Sequence, residues 1–229
     1  MKRIIVTIAL FLLCALCASE AGAQFPPPKP ARITLSKNSM AGGGTLSGQI
    51  HLSGPAPYDF KIELSTSNSA AAKVNSATVA IRKGETISPR FQITTSRVTQ
   101  NTKVNIIASI ARVSISQLLD VTVRPDSINV VPSVIAGGDN ATATLVLSGS
   151  PPSGARASVT SSNHQVLRFG SGPISVAQES ATLNLTGQLT LFAVTTGTVS
   201  ENVSVTISAT YNGVTVTKTV VVRKPFGLP

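Results

Sequence analysis

The sequence is an internal duplication, and this repeat constrains the fold more than any other feature. Three short motifs recur at a constant offset of 95 residues, and a fourth recurs at an offset of 101. The recurring pairs are Ala41-Gly42-Gly43 with Ala136-Gly137-Gly138, Leu52-Ser53-Gly54 with Leu147-Ser148-Gly149, Ser67-Asn68 with Ser162-Asn163, and the stretch 104–110 with 205–211. The two offsets differ by six residues, and we place this insertion between Gly187 and Gly197. Such a repeat is too long for a solenoid unit and matches one whole sandwich domain.

Alternation of apolar and hydroxylated residues predicts β-strands in both copies. The clearest case runs from Asn202 to Val222, where apolar residues alternate with Ser and Thr on either side of Asn212-Gly213. This alternation places the apolar side chains on one face of a strand, and Asn-Gly favours the positive φ angles of a two-residue hairpin turn. In the first copy Ala111-Arg112 replaces Asn-Gly, so we expect a different turn geometry there.

Each copy resolves into about seven antiparallel strands separated by turn residues. In the first copy we predict strands at Arg32 to Ser36, Thr45 to Ser53, Phe60 to Thr66, Ala77 to Arg82, Ile87 to Thr95, Lys103 to Ile110 and Val113 to Val123. In the second copy we predict them at Ser127 to Pro132, Ala141 to Ser148, Arg156 to Ser161, Ile174 to Gln178, Ala181 to Leu191, Asn202 to Tyr211 and Val214 to Arg223. This strand number and spacing favour an immunoglobulin-like sandwich over a barrel.

The predicted fold class is therefore all-β, with two tandem immunoglobulin-like β-sandwiches. Domain 1 covers residues 31–124, domain 2 covers residues 125–224, and residues 225–229 form a tail. Arg124-Pro125-Asp126 joins the two domains. Because this connection is short, we expect the sandwiches to stack end to end, with separate cores on the two sides of Pro125.

The N-terminal segment predicts export. Lys2 and Arg3 precede an apolar run from Ile4 to Leu16, and Ala21-Gly22-Ala23 provides the small residues that a signal peptidase recognises. We predict a signal peptide over residues 1–23 and a proline-rich spacer over residues 24–30. The apolar run is too short to span a bilayer, and we expect no transmembrane segment in the mature chain. Both cysteines lie in the signal peptide, so the mature domains contain neither a disulfide nor a thiolate site.

Several stretches resemble the tandem bacterial immunoglobulin-like repeats of exported and cell-surface proteins. The residues that carry the resemblance are the pattern GG..TLSG...LSGPAP between Gly43 and Pro57, then LSTSNSAAAKV, ATVAIRKGETISPRFQITT, and VTISATYNGVTVTKTVVV near the C-terminus. The resemblance covers nearly all of residues 31–223. It implies a sandwich fold, and it implies stalk, spacer, adhesive or accessory roles without catalytic residues.

The sequence offers little catalytic chemistry. His51 and His164 are the only histidines, and neither has Cys, Asp or Glu at metal-ligand spacing. We therefore expect no catalytic, cofactor-binding or metal-binding residues and no cofactor. The paired carboxylates Asp59 with Glu63, and Asp120 with Asp126, leave calcium binding open, although the Asp-rich ligand sets typical of calcium sites are missing.

Charge is the strongest functional signal in the sequence. Residues 29–124 contain 12 Lys and Arg against 4 acidic residues, a net charge of +8, whereas residues 125–229 contain 5 against 4, a net charge of +1. A basic face on domain 1 would meet anionic partners, and an unspecific, well-dispersed surface is the alternative. The residues that we propose for contact with an anionic surface are Arg82, Lys83, Arg90, Arg97 and Lys103.

These features predict an exported, non-enzymatic structural or adhesive module of the bacterial cell envelope, located in the periplasm, at the cell surface or outside the cell. The partner would be an anionic envelope glycan or lipid, or another protein. Specific nucleic-acid binding is disfavoured because aromatic residues that could stack on bases are few. A carbohydrate-binding accessory protein is the alternative, although the sequence has no Trp and only Tyr58 and Tyr211 as tyrosines.

Overall fold

The computed structural model describes residues 28–170 and 180–225, which form β-strands joined by turns and loops. Eighteen strands make up four sheets, and the predicted all-β class is confirmed for these residues. The predicted signal peptide, residues 24–27 of the spacer, the predicted strand Ile174 to Gln178 and residues 226–229 lie outside the described residues. We refer to residues 28–124 as the first half and to residues 125–225 as the second half.

The first half contains nine strands in two sheets. They are β1 (Pro30–Leu35), β2 (Ser39–Ala41), β3 (Thr45–Leu52), β4 (Phe60–Thr66), β5 (Ala72–Val74), β6 (Thr78–Ile81), β7 (Phe91–Thr95), β8 (Thr102–Ile110) and β9 (Val113–Thr122). One sheet has the order β1-β3-β7-β5 and the other has the order β2-β9-β8-β4-β6. All neighbours are antiparallel except β2 and β9, which run parallel.

The second half repeats this arrangement strand by strand. Its strands are β10 (Pro125–Val131), β11 (Val134–Ala136), β12 (Asn140–Leu147), β13 (Arg156–Ser161), β14 (Leu167–Phe169), β15 (Ser180–Asn184), β16 (Leu189–Thr196), β17 (Val203–Tyr211) and β18 (Val214–Arg223). The sheet orders are β10-β12-β16-β14 and β11-β18-β17-β13-β15, with β11 parallel to β18.

The alternating sequence pattern gives each sheet one buried and one outward face. In β12, for example, the side chains of Ala141, Ala143, Leu145 and Leu147 are buried, and the residues between them point outward. Because one face of each sheet is apolar, the two sheets of a half exclude water most effectively when these faces oppose each other. The arrangement is consistent with a β-sandwich.

The structure corrects the predicted strands at several places. The described residues of each half form nine strands, whereas about seven were predicted, and β2, β5, β11 and β14 were not predicted. The predicted strand Ala181 to Leu191 is wrong, since this stretch contains the end of one strand and the start of another. β15 pairs with β13, whereas β16 pairs with β12 in the other sheet. The chain therefore has to cross between the sheets after Asn184.

The insertion in the second half also lies elsewhere than predicted. The position of Val74 on β5 corresponds to that of Phe169 on β14, because Val74 pairs with Ile93 and Phe169 pairs with Val194. The offset between the halves is therefore 95 at these two strands. It becomes 104 at β6 and β15, where Val79 corresponds to Leu183, and it falls to 101 at β7 and β16. The extra residues of the second half thus lie between Phe169 and Ser180, and the placement between Gly187 and Gly197 is wrong.

The two long hairpins differ in their turns, as expected from their sequences. Asn212 and Gly213 have φ angles of 50° and 75°, so both central residues are left-handed, as in a type I′ turn. In the first half Ala111 has a φ angle of 51°, whereas Arg112 is not among the residues with positive φ. An alanine in this region is strained, because its Cβ approaches the neighbouring carbonyl oxygen.

Strand pairing stays within each half, but the apolar interior does not. The buried side chains of both halves belong to one contiguous cluster, which differs from the expected separate cores. Val98 and Val123 are buried members of this cluster, and their carbonyls accept hydrogen bonds from Ser148 and Asn212 of the second half. The halves therefore meet in a dry contact. No helix in residues 28–170 and 180–225 is long and apolar enough to cross a membrane.

Candidate interaction surfaces

The connection between the halves is fixed by hydrogen bonds to Ser148, which follows β12. Its backbone N–H donates to the carbonyl of Arg124 at 2.8 Å, and its hydroxyl oxygen accepts from the Arg124 N–H at 3.1 Å. The same hydroxyl donates to the carbonyl of Val98 at 2.9 Å. Since Ser148 is only 5% exposed, these bonds are shielded from water. One buried side chain thus ties the linker to the loop that follows β7.

Gly149 allows the backbones of the two halves to come into direct contact. A Cβ atom added to Gly149 would lie 1.9 Å from the carbonyl oxygen of Thr99 and 2.3 Å from its Cα atom. The next residue, Ser150, donates its N–H to the same carbonyl at 2.9 Å. In the first half the equivalent residue is Gly54, and no atom lies within 4 Å of a Cβ added there. The second copy of the Leu-Ser-Gly motif therefore has a docking role that the first copy does not have within this chain.

Charges and a hairpin turn complete the contact between the halves. Asp126 forms ion pairs with Arg97 and with Arg124, and its side chain is 12% exposed. The side-chain N–H of Asn212 donates to the carbonyl of Val123 at 3.1 Å. These contacts come from both halves and from the linker, so they oppose bending at the connection.

A second surface is the outward face of the sheet β1-β3-β7-β5, which we call the basic face. Arg32, Lys73 and Arg90 are exposed on it, and His51 is half-buried between them. The His51 ring lies within hydrogen-bonding distance of Arg32 and of Thr34, at 3.4 Å and 3.0 Å. The first half has four acidic residues, Asp59, Glu63, Glu85 and Asp120, and none of them lies on these strands. The basic face thus carries positive charge without a carboxylate to neutralise it.

The basic face also contains a shallow depression with polar walls. It has a volume of about 100 Å³ and is lined by Thr34, Leu35, Ser36, Ser47, Gly48, Gln49 and Arg90. The Arg90 guanidinium lies at the edge of hydrogen-bonding distance from the Ser47 hydroxyl, at 3.5 Å. Hydroxyl, amide and guanidinium groups are suitable donors for phosphate, sulfate or carboxylate oxygens.

In the equivalent sheet of the second half, Arg168 on β14 occupies the position of Lys73, whereas the outward positions from Ser127 to Val131 on β10 and those on β12 and β16 form a face without charged residues. We call it the apolar face. Val131, Leu189 and Leu191 are 72%, 57% and 68% exposed there, and Val146 is half-buried beside Leu189. The register of the two halves makes the correspondence specific. Positions occupied by Arg32 and His51 in the first half are occupied by Ser127 and Val146 in the second. Arg90 directly precedes β7, and the offset of 101 between β7 and β16 places Leu191 at its position.

The structure separates the five basic residues proposed from the sequence. Arg90 lies on the basic face. Arg82 and Lys83 follow β6, where their backbone N–H groups donate to the carboxylates of Glu85 and Asp59. Arg97 is at the contact between the halves, and Lys103 lies on β8 opposite Asp120. The sequence argument missed Arg32 and Lys73. Both residues occupy outward positions of their strands, but only the structure shows that β1 and β5 belong to the same sheet.

His164, Arg156 and the two tyrosines are the other candidate residues for a site. His164 is exposed in the turn after β13, and no group of three or more His, Cys, Asp or Glu residues is suited to a metal ion within residues 28–170 and 180–225. A depression of about 510 Å³ lies between Pro151 and Thr186 and has Arg156 as its one charged lining residue. Tyr58 is exposed and packs edge-on against Phe60, whereas Tyr211 is buried. The two tyrosines therefore form no stacking platform for sugar rings.

Comparisons with known proteins give distant structural similarities. A scan of protein-family models and a search of curated proteins find no match. Domains 5-6 of the S-layer protein SbsC align at 12% identity with a TM-score of 0.28, covering 86% of this chain and 99% of that one. The C-terminal domain of the Streptococcus agalactiae AgI/II polypeptide BspA aligns at 11% identity with a TM-score of 0.35, covering 86% and 100%. An I-band fragment of titin aligns at 11% identity with a TM-score of 0.39, covering 88% and 64%. At these TM-scores the similarities assign neither a family nor a function.

Proposed function

We propose that this chain is an exported, non-enzymatic module of the bacterial cell envelope that contacts anionic glycan through its basic face. Export rests on the predicted signal peptide over residues 1–23. The observation that carries the proposal is the difference between two equivalent sheet faces. The first half has Arg32, Lys73 and Arg90 exposed, and the second half has Ser127 and Leu191 in place of Arg32 and Arg90, whereas Arg168 keeps a positive charge at the position of Lys73. Because the strand arrangement is the same, the fold does not require the charges of Arg32 and Arg90.

The proposed architecture is two immunoglobulin-like domains, residues 31–124 and 125–224, joined as a stiff unit. The order β1-β3-β7-β5 corresponds to the A-B-E-D sheet of an immunoglobulin sandwich, and β9-β8-β4 corresponds to its G-F-C sheet. The buried Ser148 hydrogen bonds and the close approach at Gly149 support limited bending between the domains. A stiff unit of this kind keeps its contact face at a fixed distance from its point of attachment.

Binding to a charged polymer and to its neutral counterpart tests the proposal. The chain from Gln24 onward, which retains every described residue, is titrated against dextran sulfate and against unmodified dextran. We expect binding to dextran sulfate alone, with affinity that falls as salt is raised because the contacts are solvent-exposed. Vesicles with anionic lipid are a further arm that separates glycan from lipid as the source of negative charge.

The matched variants remove three charges from the basic face or from positions outside it. Arg32→Gln, Lys73→Gln and Arg90→Gln together should weaken binding roughly 100-fold, if each exposed cation contributes about 1 kcal/mol near an anionic surface. The control combines Lys61→Gln on β4, Arg112→Gln in the turn after β8 and Arg223→Gln at the end of β18, three exposed residues outside the basic face. Equal weakening by the two triple variants would show that net charge, and not the basic face, determines binding.

A further inference from the structure

The depression on the basic face brings together hydrogen-bond donors from three neighbouring strands. Ser36 directly follows β1, Ser47 lies on β3, and Arg90 directly precedes β7. The strand order β1-β3-β7 places Ser47 between the other two residues. All three side chains line the same space of about 100 Å³, so they can contact one ligand together.

The existing hydrogen bonds leave donors available in this depression. The Ser36 hydroxyl oxygen accepts from the Ser47 backbone N–H at 3.1 Å, so its own hydrogen is left to donate. The Arg90 guanidinium carries several N–H groups, and it reaches the Ser47 hydroxyl oxygen only at 3.5 Å. In the described part of the chain the ion pairs belong to Asp126, and Arg90 takes part in none of them. Two hydroxyl groups and one guanidinium group can therefore donate to a bound anion.

The second half lacks two of these donors at the equivalent positions. The strand register places Val131 at the position of Ser36, and it places Leu191 at the position of Arg90. Both replacements are exposed apolar side chains, and a hydroxyl is retained only at the position of Ser47. Because the strand arrangement is the same in the two halves, folding does not require a guanidinium group or both hydroxyls here.

We propose that this depression binds one sulfate or phosphate ester group of a sugar. The proposal rests on the proposed contact with anionic glycan, and it assigns the chemical group that the basic face recognises. Pockets that enclose a whole small molecule have volumes of about 300–1,000 Å³. The depression is much smaller than this, so it accommodates one anionic group while the attached sugar stays outside.

The number and placement of the donors favour an ester group over a carboxylate. A phosphate or sulfate monoester presents three terminal oxygens, whereas a carboxylate presents two oxygens in one plane. The planar guanidinium of Arg90 can pair with either anion, so it does not distinguish them. The hydroxyls of Ser36 and Ser47 lie on the β1 and β3 side of the depression, where they can donate to the additional oxygen of an ester.

Sugars of equal charge test the proposed ligand class. Glucose carrying one sulfate ester, glucuronate and unmodified glucose are titrated into the chain from Gln24 onward at constant ionic strength, and the backbone amide signals are followed by NMR. The first two ligands each carry one negative charge, so charge alone predicts equal binding. We expect the sulfate ester to shift the signals of Ser36, Ser47 and Arg90 and to bind at least about 5-fold more tightly than glucuronate. Equal affinity of the two anions would overturn the proposal.

Removing hydroxyls without changing the charge identifies the site. Ser36→Ala combined with Ser47→Ala should weaken binding of the sulfate ester roughly 10-fold, because two donors to an anion are lost. The control combines Thr45→Val and Thr94→Val, which remove two exposed hydroxyls from β3 and β7 outside the depression. This control should leave the affinity unchanged. Equal weakening by the two double variants would contradict the site.

The amide spectrum of each variant shows whether the fold is retained. If the double serine variant loses its strand signals, Ser47→Ala alone takes its place, since the Ser36 hydroxyl that accepts from the Ser47 backbone is then kept. This single variant should weaken the sulfate ester about 3-fold.

Dextran sulfate separates this proposal from the proposed function. If its binding requires the charges of the basic face but is unaffected by loss of the two hydroxyls, the contact with anionic glycan is supported and the ester site is refuted. If the sulfate ester of glucose binds in the depression but dextran sulfate does not bind, the ester site is supported and the proposed function is refuted.

Discussion

Adding one methyl group at Gly149 should destabilise the protein, whereas the same change at Gly54 should not. A Cβ atom at Gly149 would lie 1.9 Å from the Thr99 carbonyl oxygen, so the backbones of the two halves must separate. Overpacking of this kind costs about 1–3 kcal/mol. The movement would also weaken the hydrogen bonds that Ser148 and Ser150 make to the loop after β7. At Gly54 no atom lies within 4 Å of the added methyl group.

Thermal unfolding of Gly149→Ala and Gly54→Ala measures the difference. For a cost of about 2 kcal/mol in a protein of this size, Tm should fall by about 4–8 °C in Gly149→Ala. Gly54→Ala should leave Tm unchanged or raise it slightly, because alanine restricts the unfolded chain. Small-angle scattering would show whether the halves also separate in Gly149→Ala. If the two variants have the same Tm and the same radius of gyration, the contact at Thr99 does not hold the halves together.

Three further substitutions test other parts of the fold by denaturant unfolding. Ala111→Gly should stabilise the protein by about 0.5–1 kcal/mol, because glycine relieves the strain at a φ angle of 51°, whereas Gly213→Ala should destabilise it. No gain in Ala111→Gly would contradict a strained turn. Ser148→Ala should cost about 1–3 kcal/mol because the carbonyl of Val98 loses its buried donor, and the exposed equivalent Ser53→Ala should cost clearly less. Asp126→Asn should cost about 1 kcal/mol, an effect that decreases with salt, and a salt-independent loss would exclude an ionic origin.

Strands with long alternating patterns could be predicted from the sequence, and short strands could not. The predicted bounds agree with the structure for β4, β13 and β18, where at least six residues define the period of two. Each of β2, β5, β11 and β14 has three residues, too few to establish a period. These short strands form because they pair with strands that are distant in the sequence, and a local sequence pattern does not show such pairing. The predicted strand from Ala181 to Leu191 failed because the alternation of leucines with polar residues, from Leu183 to Leu191, continues through the crossing between sheets.

The candidate surfaces were less predictable than the strands. The excess of positive charge in the first half was visible in the sequence, but the residues chosen were neighbours in the chain. Arg82 and Arg97 lie on different parts of the first half, whereas Arg32, Lys73 and Arg90 share one face although they are distant in sequence. Identifying such a face requires the order of strands in the sheet and, for each strand, the residues whose side chains point to solvent. The role of Gly149 could not be predicted from the sequence either. Gly54 follows the same Leu-Ser dipeptide, but no atom of the protein lies within 4 Å of a Cβ added there.

The parallel pairing of β2 with β9, and of β11 with β18, determines how each half would respond to mechanical force. In both pairs a strand near the start of the half runs alongside its last strand in the same direction. Tension applied to the two chain ends pulls these partners along their length in opposite directions, so their hydrogen bonds are loaded in shear and must fail together. An antiparallel pair at the same place would open one bond at a time from its end. A chain built in this way would withstand tension on its two ends better than its thermodynamic stability alone implies.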